Sequence, residues 1–195
     1  MSDDRVLRSL AAFRGKEVVV TLKMDGENTS LYQDGLHARS LDSRHHASRD
    51  WLAAFHAEFA HTIPADWRVC GENLFARHSI AYLDLPSYFL GFSVWDERNT
   101  ALSWDDTVQF CKQRHIEVVP VLYRGPFDEA LLRRMASTWD ATRNEGFVVR
   151  LAGPIAYEAF ASSVTKWVRP AHVQTNKHWM HQAIVRNHLH NQSAT

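Results

Sequence analysis

Residues 18–22 form the run Val-Val-Val-Thr-Leu, which is typical of a buried strand because β-branched side chains fit a pleated sheet. The run ends at Lys23-Met24-Asp25-Gly26, a turn signal, and a second strand is predicted around residues 29–32. Asp34 and Gly35 then indicate a hairpin before a returning segment at residues 36–40. The pattern therefore places Lys23 at the rim of an antiparallel sheet.

Three segments have the apolar spacing of helices. Ser48 is a candidate N-cap for a helix that ends near Phe59, before Pro64. Ser103 and Asp106 resemble a capping box that begins a helix reaching about residue 114, and a further helix is predicted around residues 127–135.

Further strands are predicted at residues 67–71, 88–95, 144–151 and 163–168, and Pro120 assigns the segment 117–123 to a sheet edge. The tail, residues 173–190, has helical spacing with a basic, histidine-rich face. Together these elements predict an α+β fold in which helices flank an antiparallel sheet system.

Composition narrows the class of protein. The chain has 195 residues, and its 22 Lys and Arg balance 22 Asp and Glu, which argues against a protein that coats nucleic acid indiscriminately. Cys70 and Cys111 lie far apart and form no zinc or redox pair, as in a reduced cytosolic protein. The charged N-terminus lacks an apolar signal core and no run reaches membrane-span length. We therefore expect a cytoplasmic protein with no membrane partner.

Lys23-x-Asp25-Gly26 is the first candidate for chemistry. A lysine fixed at a strand end can act as a nucleophile if its surroundings favour the free amine, and Gly26 would let a ligand phosphate approach the backbone. Alone the pattern is weak, because a solvated lysine beside an ordinary turn would have the same sequence.

Five further segments follow this one in order. The six are LKMDGENTSLY (22–32), ARS (38–40), GENL (71–74), FLGFSVWD (89–96), EGFVVR (145–150) and TKWVRP (165–170). This succession resembles the covalent nucleotidyltransferases, which comprise ATP-dependent ligases and mRNA capping enzymes. The resemblance spans residues 18–170 and implies an antiparallel-sheet, ATP-grasp-like ligase domain.

Within that superfamily the details resemble RNA ligases related to the second RNA ligase of phage T4 and to the editing ligases. DNA ligases and capping enzymes usually have Arg two positions after the glycine of the first motif, where this chain has Asn28. GENL, with Glu72, matches the ribose-reading segment of the RNA ligases, and VVPVLYRG (118–125) resembles the stretch before their fourth motif.

The resemblance implies a role for each matching residue that binds the nucleotide. Lys23 would attack the α-phosphorus of ATP and form lysyl-AMP. Asn28 would contact the phosphate or the incoming end, and Arg39 would hold a phosphate of ATP or of the polynucleotide 5′ end. Glu72 would bind the ribose hydroxyls and Phe92 would stack on adenine. Arg39 could instead be a solvated strand residue, Phe92 an ordinary core residue and Glu72 a surface carboxylate.

Two residues would handle charge near the reacting phosphate. The resemblance implies that Glu145 binds Mg²⁺ or Mn²⁺ and that Lys166 neutralises the α-phosphate. Glu145 could instead lie on the surface, and Lys166 could extend its charged end to water beside Trp167. The phage-type pattern usually has a second lysine where this chain has Val168, and Arg169 would face the opposite side of the strand.

A basic surface is a further candidate feature. Arg39, Arg44, His45, His46 and Arg49 cluster after the hairpin, and Lys177 and Arg186 lie in the tail. Such a surface could contact RNA or could simply be a solvated face. The twelve histidines form no HExxH motif or Cys/His ligand set, so a zinc site has little support.

The sequence thus predicts an ATP-dependent RNA ligase with a nucleotidyltransferase domain at residues 1–170 and a short helical tail at 171–195. Its substrate would be RNA with 5′-phosphate and 3′-hydroxyl ends, in a role such as RNA repair. The 25 residues after Pro170 are too few for an OB domain, so we expect the tail or a partner protein to help bind RNA. Two alternatives stay open: a DNA ligase or GTP-dependent capping domain, and a non-catalytic nucleic-acid-binding relic.

Overall fold

The computed structural model describes residues 10–38, 47–169 and 184–190. Within these residues the chain forms four α-helices and eleven strands, together with short 3-10 turns. The helices are α1 (Asp50–Phe59), α2 (Trp104–Lys112), α3 (Glu129–Ser137) and α4 (Phe160–Ser163). The strands are β1 (Glu17–Lys23), β2 (Glu27–Leu31), β3 (Leu36–Ala38), β4 (Arg68–Asn73), β5 (Phe89–Trp95), β6 (Thr100–Ala101), β7 (Glu117–Val118), β8 (Val121–Pro126), β9 (Gly146–Leu151), β10 (Ile155–Ala156) and β11 (Val164–Val168).

The strands form two sheets. Sheet A has the order β11-β9-β1-β8, and all of its pairs are antiparallel. Sheet B has the order β10-β6-β5-β4-β2-β3, again antiparallel, with the short β7 added parallel to β5. The turn at residues 24–26 therefore carries the chain from sheet A into sheet B, and Lys23 is the last residue before this crossing.

The layers are stacked in the order helix, sheet, sheet, helix. Val18 and Val20 of β1 face outward and pack with α3, whereas Val19 faces inward and joins Leu74 and Leu90 of sheet B in the core between the sheets. The other face of sheet B packs against α1 and α2. Because β1 is covered on both faces, its interior is a continuous apolar run, as residues 18–22 predicted.

The structure confirms an α+β fold with antiparallel sheets and places most predicted elements within a few residues. Ser103 is confirmed as the N-cap of α2, since its Oγ accepts a hydrogen bond from Asp106 N at 3.1 Å. Ser48 is not the N-cap of α1, because a 3-10 turn, Ala47–Arg49, precedes that helix. The edge position predicted for residues 117–123 is confirmed by β8, which lies at the edge of sheet A. The segment is not one strand, however, because Pro120 divides it into β7 in sheet B and β8 in sheet A.

The tail departs from its predicted helix where it is described. Residues 184–189 are not helical and make isolated bridges, Ala76 to Arg186 and Leu85 to Leu189. The helical interpretation is therefore wrong for this stretch, because its side chains and main chain bond a neighbouring loop rather than each other. Residues 170–183 and 191–195 lie outside the described part of the chain.

Two global expectations concern thiols and membranes. Cys70 and Cys111 are both free, and burial raises the pKa of the Cys111 thiol to about 12. Among the described helices, none has the length and apolar character to cross a membrane.

Candidate active site

Lys23 lies at the junction of the two sheets, which we call the cleft, and its amine meets a buried carboxylate. Lys23 Nζ is 2.5 Å from Glu145 Oε2, and the side chains are 23% and 5% exposed. The contact follows from strand register, because Lys23 pairs with Gly146 and thereby lies beside the residue that precedes β9. Gly146 is required here, since a Cβ would overlap the main-chain carbonyl of Trp167 on β11. Two residues 122 positions apart thus form one ion pair.

Asp25 anchors the turn that follows Lys23. Its Oδ2 accepts three hydrogen bonds, from Ser79 N at 2.8 Å, Ser79 Oγ at 2.7 Å and Ile80 N at 2.9 Å. Asp25 N donates to the Tyr82 hydroxyl at 2.9 Å. These donors belong to the segment 74–88, which we call the anchor loop. Because Asp25 is buried and its carboxylate is occupied by these donors, its role in this geometry is to fix the backbone that carries Lys23.

Glu72 lies on the sheet B side of the cleft. Its Oε1 accepts from Gly26 N at 3.2 Å, and its cross-strand partner is Asn28, whose exposed side chain shares that face. Burial raises the pKa of Glu72 to about 8; the charge of Glu145 adds to this and that of Lys23 opposes it. At neutral pH the carboxyl therefore carries a proton and can both donate to and accept from a hydroxyl group.

Gly26 makes this junction possible. A Cβ at this position would lie 2.5 Å from the main-chain oxygen of Asn73 and 2.8 Å from Leu74 Cδ2. Only glycine lets the turn pass so close to the end of β4, which brings Glu72 next to the turn.

Lys166 lies on the same sheet face as Lys23. Residues paired across antiparallel strands point to one face, and Lys166 pairs with Val148, which pairs with Thr21. Lys166 is exposed on β11, the edge strand of sheet A. Val168, opposite Gly146, shares this face too and supplies no charge. Arg169 donates through its guanidinium to the Ala141 carbonyl, toward the turn before β9.

Phe92 lies at an irregularity of sheet B. Cys70 pairs with Ser93 and Gly71 with Gly91, so Phe92 has no pairing partner on β4. Its ring is partly buried against the core between the sheets and keeps some exposure. This position is compatible with both interpretations, a core residue and a stacking surface, so adenine stacking stays a prediction.

The predicted basic surface is described only in part. Arg39, Arg44, His45 and Lys177 lie outside the described residues. Arg49 is inside them and does not fit an exposed RNA contact, because it is buried and grips Glu27 with Nε to Oε2 at 2.8 Å and a second bond from Nη2 to Oε1. That ion pair joins the start of α1 to the strand that follows the lysine turn.

Three site residues were missed at the sequence level. Ser79 and Tyr82 hold Asp25, and nothing in their spacing signals this. His78 precedes Ser79, and burial lowers its pKa while the charges of Asp25, Glu27 and Glu145 oppose that shift. A histidine whose pKa responds to three carboxylates is a candidate component of a polar site, yet one isolated His in the sequence gave no indication of it.

The donor set suits a metal held partly by substrate. Among the described residues no group of three or more His, Cys, Asp or Glu side chains forms a metal cage. Mg²⁺ is commonly held by one or two carboxylates plus substrate phosphates, so Glu145, which faces the cleft beside Lys23, fits that arrangement.

Comparison with solved structures finds the same fold among RNA ligases. A ligand-free variant of Naegleria gruberi RNA ligase is similar at 19% identity and TM-score 0.60, covering 82% of this chain and 51% of that one. A variant of that ligase with ATP and Mn is similar at 17% identity and TM-score 0.60, with the same coverage of both chains. An archaeal ATP-dependent RNA ligase is similar at 16% identity and TM-score 0.54, covering 83% of this chain and 44% of that one. The chain thus spans about half the length of these structures.

The family comparison is the more direct one. The search of curated proteins gives no match. A model of the RNA ligase family matches residues 16–168, a range that contains Lys23, Glu72, Glu145 and Lys166. The predicted family is therefore confirmed, and the chain belongs to the RNA ligase family.

Proposed function

We propose that this chain is the adenylylating domain of an ATP-dependent RNA ligase and that Lys23 is its nucleophile. The observation that carries the proposal is the pair of Lys23 Nζ and the buried Glu145 carboxylate, 2.5 Å apart in the cleft. An exposed lysine forms ion pairs that water screens, whereas this one meets a carboxylate that is only 5% exposed.

The first step is transfer of AMP to the protein. The Lys23 amine attacks the α-phosphorus of ATP, a P–N bond forms, and the bond to the bridging oxygen breaks so that pyrophosphate leaves. Lysine must lose a proton to solvent before it attacks, and the bond to Glu145 Oε2 orients the amine. A divalent cation held at Glu145, Mg²⁺ or Mn²⁺, would offset charge on the phosphates.

The remaining residues bind and orient the nucleotide. Glu72, protonated at neutral pH, can donate to one ribose hydroxyl and accept from the other. Asn28 lies beside it for a phosphate contact, and Phe92 offers a partly exposed ring for adenine. Lys166 extends from the edge strand on the Lys23 face, where it can pair with the α-phosphate. Arg39 is proposed to hold a phosphate of ATP or of the RNA end.

Two further transfers would complete ligation. An RNA 5′-phosphate oxygen attacks the lysyl-bound phosphorus, so the P–N bond breaks and an AMP-capped RNA end forms. The 3′-hydroxyl of a second RNA end then attacks the capped 5′-phosphate, which makes the phosphodiester and releases AMP. We propose that a further domain or a partner protein helps hold RNA.

The test is covalent labelling with α-labelled ATP or GTP and Mg²⁺ or Mn²⁺, read on denatured protein. We expect label from ATP, none from GTP, and loss of label in Lys23→Ala. Lys16→Ala is the matched control, because Lys16 is an exposed lysine outside the cleft. Label from GTP alone would instead identify a capping-type enzyme, and no label from either nucleotide would favour the non-catalytic alternative.

The polynucleotide substrate is tested separately. We expect the adenylylated protein to seal nicked RNA in preference to nicked DNA of the same sequence. Equal or better sealing of DNA would contradict the RNA assignment without affecting the lysyl-AMP step.

A further inference from the structure

The described C-terminal segment, residues 184–190, is bonded along the anchor loop. Arg77 N donates to Val185 O at 2.7 Å, Asn187 N donates to Phe75 O at 3.1 Å, and His188 N donates to Tyr82 O at 2.9 Å. The bonds alternate between the two backbones, so the segment and the loop form one unit although about 100 residues separate them in the chain.

Asn187 is the centre of this unit and is 2% exposed. Its Nδ2 donates to Leu74 O at 2.8 Å and its Oδ1 accepts from Tyr82 N at 2.9 Å. Its main-chain oxygen accepts from the Tyr88 hydroxyl at 3.0 Å. One residue therefore ties the beginning, the middle and the end of the anchor loop together.

The loop that Asn187 ties is the one that holds Asp25. The main-chain N–H of Tyr82 donates to Asn187 Oδ1, and the Tyr82 hydroxyl accepts from Asp25 N at 2.9 Å. Ser79 and Ile80, a few residues earlier, supply the donors to the Asp25 carboxylate. Two bonded steps thus separate Asn187 from the turn that begins at Lys23.

We propose that Asn187 is a positioning residue for Lys23, acting through the anchor loop and Asp25. The proposal rests on the proposed role of Lys23. Asn187 touches no reacting atom. It fixes the geometry of the anchor loop, which in turn holds the lysine turn through Asp25. A purely structural asparagine would stabilise the fold without affecting the chemical step, and this difference can be measured.

The test compares Asn187→Ala with Val185→Ala in the full chain. Val185 is an exposed residue of the same segment whose loop contact is made by its backbone oxygen, so its variant keeps that bond. For Asn187→Ala we expect lysyl-AMP formation about tenfold or more slower at saturating ATP, because misplacing a reacting group by an ångström costs about a hundredfold. The ATP concentration that gives half of the maximal rate should stay within about twofold of the wild-type value in Asn187→Ala. Val185→Ala should match wild type in both.

Hydrogen exchange gives a readout that does not depend on activity. The Ser79 and Ile80 amides, which donate to Asp25, should exchange faster in Asn187→Ala and not in Val185→Ala. If wild type forms no lysyl-AMP while these amides respond, the proposed function fails and the coupling from Asn187 to Asp25 stands. An unchanged adenylylation rate per folded molecule in Asn187→Ala would overturn the positioning role.

A second variant covers the case in which Asn187→Ala does not fold. Tyr88→Phe removes one hydroxyl, which donates to the Asn187 backbone, and keeps the buried ring. We expect a loss of about threefold in the same rate with faster exchange at Ser79 and Ile80. If both quantities match wild type, the proposal is overturned.

Discussion

The two ends of the cleft are built differently. The lysine turn, residues 23–26, is held by the ion pair to Glu145, by the donors to Asp25 and by the Gly26 contact to Glu72. The strand β11 lies at the sheet edge and presents Lys166 to solvent. Lys23, the proposed nucleophile, is therefore fixed by the fold itself, whereas Lys166, proposed to pair with the phosphate, is exposed.

This difference indicates how the two ends would share the work. A nucleophile gains most from fixed geometry, because orientation must be correct before a bond forms. A neutralising cation needs only to reach the phosphate, so exposure at the edge is tolerable. We therefore expect substitutions in the turn to have larger effects than substitutions in β11.

The largest expected effect is at Gly26. In Gly26→Ala the added Cβ meets Asn73 O at 2.5 Å, so the backbone of the turn must move. We expect lysyl-AMP formation to fall about a hundredfold and the free energy of unfolding to fall by about 1–3 kcal/mol. The control is Gly35→Ala, since a Cβ at that glycine meets nothing within 4 Å. Equal effects of the two variants would mean that the close approach at the turn is unimportant.

The next effect concerns Asp25. Asp25→Asn keeps the shape of the side chain and removes the charge that three donors share. Hydrogen bonds to charged groups contribute about 1.5–3 kcal/mol, so we expect an adenylylation rate roughly 30-fold lower. Asp34→Asn, at an exposed hairpin position, is the control. A normal rate in Asp25→Asn would argue that the turn keeps its position without the charged anchor.

A smaller effect is expected at the sheet edge. Lys166→Ala should slow adenylylation about tenfold and change the free energy of unfolding by less than about 0.5 kcal/mol, because the side chain is exposed. Val168→Lys, which adds a cation on the same face, should raise the rate a few-fold if charge near the phosphate is limiting. A rate loss in Lys166→Ala as large as that in Gly26→Ala would remove the contrast between the two ends.

The smallest effect is a pH dependence of stability at Glu72. Its pKa in the folded protein, about 8, lies above the value of 4.5 for an ordinary glutamate, so between these pH values the folded state binds the extra proton. Stability must then fall as pH rises through this window. Compared with Glu72→Gln, wild type should lose about 1–2 kcal/mol between pH 6 and pH 8.5, a figure kept below the full shift because the group is partly screened by water.

Urea unfolding of both proteins at the two pH values measures this difference. Glu58→Gln, at an exposed helix position, should show none. The buried, protonated state of Glu72 would be contradicted if wild type and Glu72→Gln changed in parallel.

Local patterns predicted much of the fold. The β-branched run of β1 and the strand β9, which ends at Leu151, were placed correctly, because burial on both faces leaves a clear apolar signature. The division at Pro120 was missed because each half pairs in a different sheet, which is a tertiary choice. The same limitation explains the tail: helical spacing was present, but the bonds available from the anchor loop determine its non-helical course.

In the candidate site, too, residues could be assigned from the sequence, whereas their contacts depend on the tertiary structure. Lys23 and Glu145 were both assigned through the family resemblance, whereas their contact depends on the register of β1 against β9, which the sequence does not show. Asn187 had no sequence signal, since a buried asparagine satisfied by backbone groups has the same sequence as a solvated one. The pairing of Arg49 with Glu27 could not be predicted, because 22 residues separate the two in the chain.

The most direct test of the central claim is to map the site of the adduct. The protein is incubated with ATP and a divalent cation, digested, and its peptides are analysed by mass spectrometry. The account predicts AMP on Lys23 in the peptide that carries Asp25 and Gly26, and no adduct on Lys16 or Lys166. AMP on another residue, or no adduct on a folded protein, would contradict it.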